Sequence, residues 1–143
     1  MCAADHSWAE VLSRLGSRRA FVVHGFGGID ELSPAGPNLV CEVVDGEVRD
    51  REVDPQALGL RRCTPGELRG GSPGENAAVI RAVFSGREQG GKRDAILLNA
   101  AGAIAAGGHA DDLRDGLELA RETVDSGAAA ERLEALIVFS NDG

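Results

Sequence analysis

Apolar residues recur at helical spacing in some stretches of this chain and form unbroken runs in others. Trp8, Val11, Leu12 and Leu15 fall three and four residues apart, which predicts one helix face, and Gly16 can supply its left-handed exit. Ser7, with Glu10 three residues on, has the spacing of a capping box, so the helix is predicted to start there. Ala20-Phe21-Val22-Val23 is apolar at every position, the pattern of a short strand buried on both faces, and it is predicted to lie inside a parallel sheet. The run ends in His24-Gly25-Phe26-Gly27-Gly28-Ile29-Asp30-Glu31, a glycine-rich loop at the strand's carboxyl end.

From Leu39 to Val53 the pattern predicts a β-hairpin, because Asp45-Gly46 is a two-residue type I′ turn signal between β-branched stretches. Pairing outward from that turn sets Val43 against Val48 and Glu42 against Arg49. Asp54-Pro55 and Thr64-Pro65-Gly66-Glu67 each place a capping residue before a proline, predicting short helical turns. Ser72-Pro73-Gly74-Glu75 repeats the device before a longer helix, with Ala77, Ile80, Val83 and Phe84 as its buried stripe. Residues 93–106 have almost no polar face and predict a helix buried nearly all round, stopped by Gly107-Gly108. Asp111 or Asp112 caps the next helix, whose Leu113, Leu117, Ala120 and Val124 line one face while Arg114 and Glu118 pair on another. After Gly127 a last helix carries Leu133, Leu136 and Ile137 toward the core and ends near Ser140. Strand, hairpin and helices together give an α/β fold. One buried strand plus a hairpin is a thin sheet for so many helices, which implies further strands outside this chain.

Composition narrows the class. The 143 residues suffice for one domain, and 43% hydrophobic with 27% charged residues is ordinary for a folded soluble protein. A net charge of −8, with no basic group denser than the isolated pairs Arg18-Arg19, Arg61-Arg62 and Lys92-Arg93, argues against a nucleic-acid or acidic-membrane partner. No apolar run approaches the ~20 residues that span a bilayer. Cys2, Cys41 and Cys63 are odd in number and lack the paired spacing of a zinc or redox centre, so reduced thiols and a cytoplasmic location are expected.

Candidate chemistry gathers at Asp30 and Glu31, adjacent carboxylates behind a glycine-rich loop at a strand end, where open α/β sheets bind ligands. Hard oxygen ligands suit Mg²⁺, which keeps several waters and bridges one or two carboxylates to substrate phosphates. By themselves the two acids are better explained as a solvated pair, since most adjacent Asp-Glu residues are. His24, ending an apolar strand, reads as a hydrogen-bonded structural histidine rather than a general base. His6 and His109 show no metal-ligand spacing with any cysteine. Asn99, inside the apolar helix, must find hydrogen-bond partners and is expected to hold the backbone of a neighbouring loop. Asn76 and Arg69-Gly70-Gly71 are expected to organise the start of a helix.

Three stretches in fixed order add to this reading: Val22-Val23-His24-Gly25 leading to Gly28-Ile29-Asp30-Glu31-Leu32-Ser33; Leu68-Arg69-Gly70-Gly71-Ser72-Pro73 with Glu75-Asn76-Ala77-Ala78; and Leu97-Leu98-Asn99-Ala100-Ala101. With the later Asp125-Ser126-Gly127-Ala128-Ala129, they make the chain resemble the anthranilate phosphoribosyltransferases from about Ser7 to Ser140. The resemblance implies the C-terminal part of a phosphoribosyltransferase/nucleoside phosphorylase-like domain, with a mixed sheet, a β-hairpin and flanking helices. It implies transfer of phosphoribose from phosphoribosyl diphosphate to anthranilate in tryptophan biosynthesis, with Mg²⁺ held by Asp30 and Glu31 beside the diphosphate. The Gly-Thr-Gly-Gly-Asp diphosphate loop and the Lys-His-Gly-Asn motif of that family do not occur here. The family's N-terminal helical domain, which mediates dimerisation, is expected to be missing as well, so the homodimer is not carried over. The expectation is a single partial domain over residues 1–143, inactive until an N-terminal half completes it. The alternative is a noncatalytic remnant acting as a regulatory or assembly partner.

Overall fold

The computed structural model describes residues 3–141, in the order α1 (Ala3–Arg14), β1 (Arg19–His24), β2 (Asn38–Val44), β3 (Glu47–Val53), α2 (Pro73–Phe84), α3 (Gly91–Ala106), α4 (Leu113–Asp125) and α5 (Ala128–Asn141). Short 3₁₀ turns at Pro55–Leu58 and Pro65–Leu68 fall where the two proline signals predict them. Asp45 and Gly46 have φ of 47° and 90°, the left-handed pair that a type I′ turn requires, and the sheet grows outward from them. Val43 stands opposite Val48 and Glu42 opposite Arg49, as the turn dictates. The Arg49 guanidinium nevertheless turns to Glu47, 2.6 Å away on its own strand. Glu42 is buried and needs closer countercharge, which Arg19 at 3.2 Å and Arg51 at 2.9 Å bring diagonally from the two neighbouring strands.

The strand order is β1-β2-β3, antiparallel throughout. This corrects the parallel setting predicted for residues 20–23; a run apolar on both faces reports two covered faces, not strand direction. Both faces are indeed covered. Ala20 and Val22 join Cys41, Val43 and Val48 under Ala9 and Leu12 of α1. Phe21, Val23 and Val40 join Leu97, Leu98 and Ala101 of α3 and Leu117, Ala120 and Val124 of α4. Each large side chain fully buried there contributes about 1.5–3 kcal/mol.

The helix predicted to start at Ser7 starts at Ala3 instead, so Ser7 and Glu10 lie inside α1 and form no capping box. Its core side is Ala9 and Leu12, while Trp8, Val11 and Leu15 face outward. The sheet is tight enough against α1 that alanine, rather than tryptophan, occupies the contact. Helix α3 is central, with Leu97, Leu98, Ala101, Gly102 and Ala105 buried. It meets α4 at Gly116, where an added Cβ would stand 2.6 Å from the Ala101 carbonyl oxygen. The predicted stripe of α2 is buried only at Val83, with Ala77 and Ile80 exposed, because α2 lies on the surface of the helical layer. In α5, Leu133 and Ile137 are half-buried and Leu136 is exposed. Arg114 does not pair with Glu118 as expected; it donates to the Ala57 carbonyl oxygen at 2.6 Å, tying α4 to the first 3₁₀ turn.

Candidate active site

The loop after β1 is shaped by two glycines at positive φ, Gly27 and Gly28, and closed by the Gly25 N–H donating to the Ile29 carbonyl at 2.9 Å. A Cβ on Gly25 would overlap the Glu31 carbonyl oxygen, so only glycine lets the chain fold back there. The next residue, Leu32, is buried against the core. Asn99 of α3 grips it from both sides: its Oδ1 accepts from the Leu32 N–H at 2.8 Å and its Nδ2 donates to the Leu32 carbonyl at 2.8 Å. The role expected for Asn99 is the one it has.

Asn38, fully buried at the start of β2, completes the scaffold. Its Oδ1 accepts from Phe26 and Ser33 N–H groups, and its Nδ2 donates to the Ser33, Gly36 and Val53 carbonyls. The sequence reading passed over Asn38, since a polar residue beside an apolar strand has the same local signature whether it faces water or the interior.

Asp30 and Glu31 are thus presented between two fixed points, Ile29 and Leu32, and both are exposed. Glu31 opens on a groove of about 470 Å³ between this loop, α2 and α3, whose other polar lining is Arg69, Asn76, Lys92 and Asn99. Asp30 does not line that groove. Asn76 ties down Gly71 by accepting its N–H at 2.8 Å and donating to its carbonyl at 3.1 Å, which holds the Arg69-Gly70-Gly71 segment at the start of α2 as predicted. The same segment puts the Arg69 side chain at the groove, and α3 brings Lys92 to it. Neither cation stands out in sequence; their meeting depends on how α2 and α3 lie together.

Residues 4–130 match the glycosyl transferase family, a/b domain. The chain belongs to that family.

Among curated relatives in this glycosyl transferase family, the anthranilate phosphoribosyltransferase of Pelotomaculum thermopropionicum is 47% identical over 94% of this chain. That of Roseiflexus castenholzii is 48% identical over 96% of it. The chain spans only 39% and 42% of the length of those two proteins. The crystal structure of anthranilate phosphoribosyltransferase from Thermus thermophilus matches 92% of this chain and 38% of its own at 41% identity, with a TM-score of 0.82. The Saccharomyces cerevisiae enzyme in complex with PRPP and Mg matches 94% of this chain at 26% identity, with a TM-score of 0.80.

His24 and Cys41 lie on the other face of the sheet, whereas Cys63 packs against Gly91 of α3. His24 is exposed, and its Nδ1 stands 3.7 Å from Asp5 Oδ2, too far for the hydrogen bond expected of a structural histidine. Cys41 and Cys63 are free and buried; Cys2 lies outside the described residues. Contrary to the reading from spacing, His6 and Cys41 do come together, with Asp50 between them. Burial first, and then the Asp50 hydrogen bond, pushes the Cys41 thiol up to about 11. The hydrogen bond from His6, then that from Cys41, holds the Asp50 carboxyl below its ordinary value.

Proposed function

We propose that this chain is the C-terminal α/β part of an anthranilate phosphoribosyltransferase. In this reading it contributes to transferring phosphoribose from phosphoribosyl diphosphate to anthranilate in tryptophan biosynthesis, in the cytoplasm. The observation that carries the reading is the clamped loop that sets Glu31 at the mouth of a groove containing Arg69 and Lys92. A carboxylate beside two cations suits a ligand that arrives as an anion with a divalent ion attached.

The donor set fits Mg²⁺. Asp30 and Glu31 offer hard, exposed oxygens without a surrounding cage, and Mg²⁺ characteristically takes one or two carboxylates while retaining waters and substrate phosphate. When bound, the ion would neutralise charge on the diphosphate as it leaves C1 of the ribose. The chain's own residues do the rest of what can be assigned. Arg69 and Lys92 attract the phosphates, and Asn99 keeps the loop and Glu31 in register with the groove. The acceptor nitrogen forms a bond to C1, the C1–oxygen bond to diphosphate breaks, and the nitrogen's proton passes to solvent.

Since the chain covers about two-fifths of its relatives' length, the segment corresponding to their remainder is the proposed source of the diphosphate loop. The experiment is to mix this chain with such a segment and follow anthranilate consumption with and without Mg²⁺. Activity in the mixture but in neither part alone is expected, with Asp30→Asn plus Glu31→Gln abolishing Mg²⁺-dependent substrate binding and leaving the fold intact. An inactive mixture of two folded parts, or unchanged magnesium dependence in the double variant, overturns the proposal.

A further inference from the structure

On the face of the sheet covered by α1, away from the groove, three different metal-ligand chemistries converge. Cys41 of β2 and Asp50 of β3 are direct partners across the hairpin, and His6 comes down on them from the first turns of α1. One ligand atom from each, an imidazole nitrogen, the thiol sulfur and a carboxylate oxygen, all lie within 4.8 Å of one another. His6 Nδ1 is 3.0 Å from Asp50 Oδ1. The other ring nitrogen, Nε2, is 3.8 Å from Glu10 Oε1 one helical turn on. That separation is too long for a hydrogen bond, but it sets a carboxylate beside the ring's far nitrogen, where a ligating histidine usually has its orienting partner.

A fourth group stands beside the trio. Asp5 lines a pocket of about 200 Å³ together with Cys41 and Asp50. Its Oδ2 is buried without a hydrogen-bond partner among the described residues, and Nδ1 of His24 stands 3.7 Å from it. A buried carboxylate oxygen without a donor is costly unless something positive reaches it.

We propose that His6, Cys41 and Asp50 bind one borderline-soft divalent cation of the Zn²⁺ class, with Asp5 or water taking the fourth position. Imidazole, thiolate and carboxylate are the ligands Zn²⁺ takes in tetrahedral sites, whereas Mg²⁺ accepts oxygen alone, so this centre and Asp30-Glu31 select different ions. Thiolate and one carboxylate together neutralise the ion's charge, which suits a site whose sulfur lies in the interior. The cation would fasten α1 to both strands of the hairpin and act as a structural clip.

Co²⁺ titration of the 143-residue chain, with Cys2 and Cys63 replaced by serine, tests this directly. One equivalent should produce visible d–d bands and a near-ultraviolet thiolate-to-cobalt band, all displaced by Zn²⁺. Cys41→Ser should remove the near-ultraviolet band. The exposed or half-exposed positions guard against a misfolded variant: Glu10→Gln should weaken binding about tenfold, His6→Ala and Asp50→Asn by more, each with unchanged circular dichroism. Asp30→Asn with Glu31→Gln should have no effect. No saturable Co²⁺ spectrum, a charge-transfer band that survives Cys41→Ser, or affinity indifferent to both His6→Ala and Asp50→Asn would each overturn the proposal.

Discussion

Asn99 and Leu32 hold each other by both backbone hydrogen-bonding groups of the leucine, across 67 positions of sequence. The pair fixes the end of the glycine-rich loop to the central helix and therefore fixes Glu31, its immediate neighbour. Asn99→Leu leaves the Leu32 N–H and carbonyl unpaired beside the core, at about 1–3 kcal/mol for each group. Urea denaturation should show that loss. A stability change under about 0.5 kcal/mol would mean that water replaces the clamp at no cost.

The contact of Gly116 with Ala101 makes the α3–α4 crossing sensitive to a single methyl group. Gly116→Ala should destabilise by about 1–3 kcal/mol through overpacking, although alanine is the better helix former by about 1 kcal/mol. Gly74, in the first turn of α2, has open space where its Cβ would go. Gly74→Ala should therefore shift the urea midpoint upward, opposite in sign to Gly116→Ala.

Acid stability should depend on the Ser72–Glu75 capping box. The Ser72 hydroxyl and N–H, donating at 2.6 and 2.8 Å, hold the Glu75 carboxyl below its usual 4.5. A depressed folded value means that the stabilisation is present above the unfolded value and disappears as pH falls through the folded one. Denaturation midpoints should place Glu75→Gln below the parent protein near neutrality, with the gap closing under acid. Parallel curves at every pH would remove Glu75 ionisation from the account.

Asp94 should behave in the reverse sense. Burial in the first turn of α3 raises its carboxyl above the usual 3.8, outweighing attraction from Arg61, Arg121 and Arg93. The charged form is penalised on folding, so stability is lost as pH rises from the ordinary carboxyl value through the raised one. Asp94→Asn should melt at a higher temperature than the parent at neutral pH. That advantage should shrink on acidification, when Asp94 takes up its own proton; a lower melting temperature at neutral pH would show that the arginines prevail.

Local chemistry made several elements legible. Asp45-Gly46 could form one kind of turn, and the turn set the register of β2 against β3 down to Val43 and Val48. Ser72 and Glu75 marked the start of α2 because both partners of the box lie within four residues. Asn99 was legible because an amide in an apolar helix has few outlets. The same local logic failed for Ser7 and Glu10, because helix α1 extends back to Ala3 and leaves both residues in its interior. It failed again for the α2 stripe, where helical spacing marked a potential face without saying whether anything would cover it.

The sequence alone determined what is short-range and steric: the hairpin turn, the α2 cap, the need for glycine before Asp30, and a motif order that resembles one enzyme family. Tertiary structure decided what depends on distant approach. It set β1 antiparallel to β2, turned Arg19 and Arg51 rather than Arg49 toward Glu42, and brought Arg69 and Lys92 to the groove beside Glu31. It also joined His6 to Cys41 and Asp50, residues 35 to 44 positions apart in chain order. Spacing along a chain reports neighbours within a turn or a strand pair, whereas a site assembled from three elements exists only once the packing of their apolar faces has fixed where each one lies.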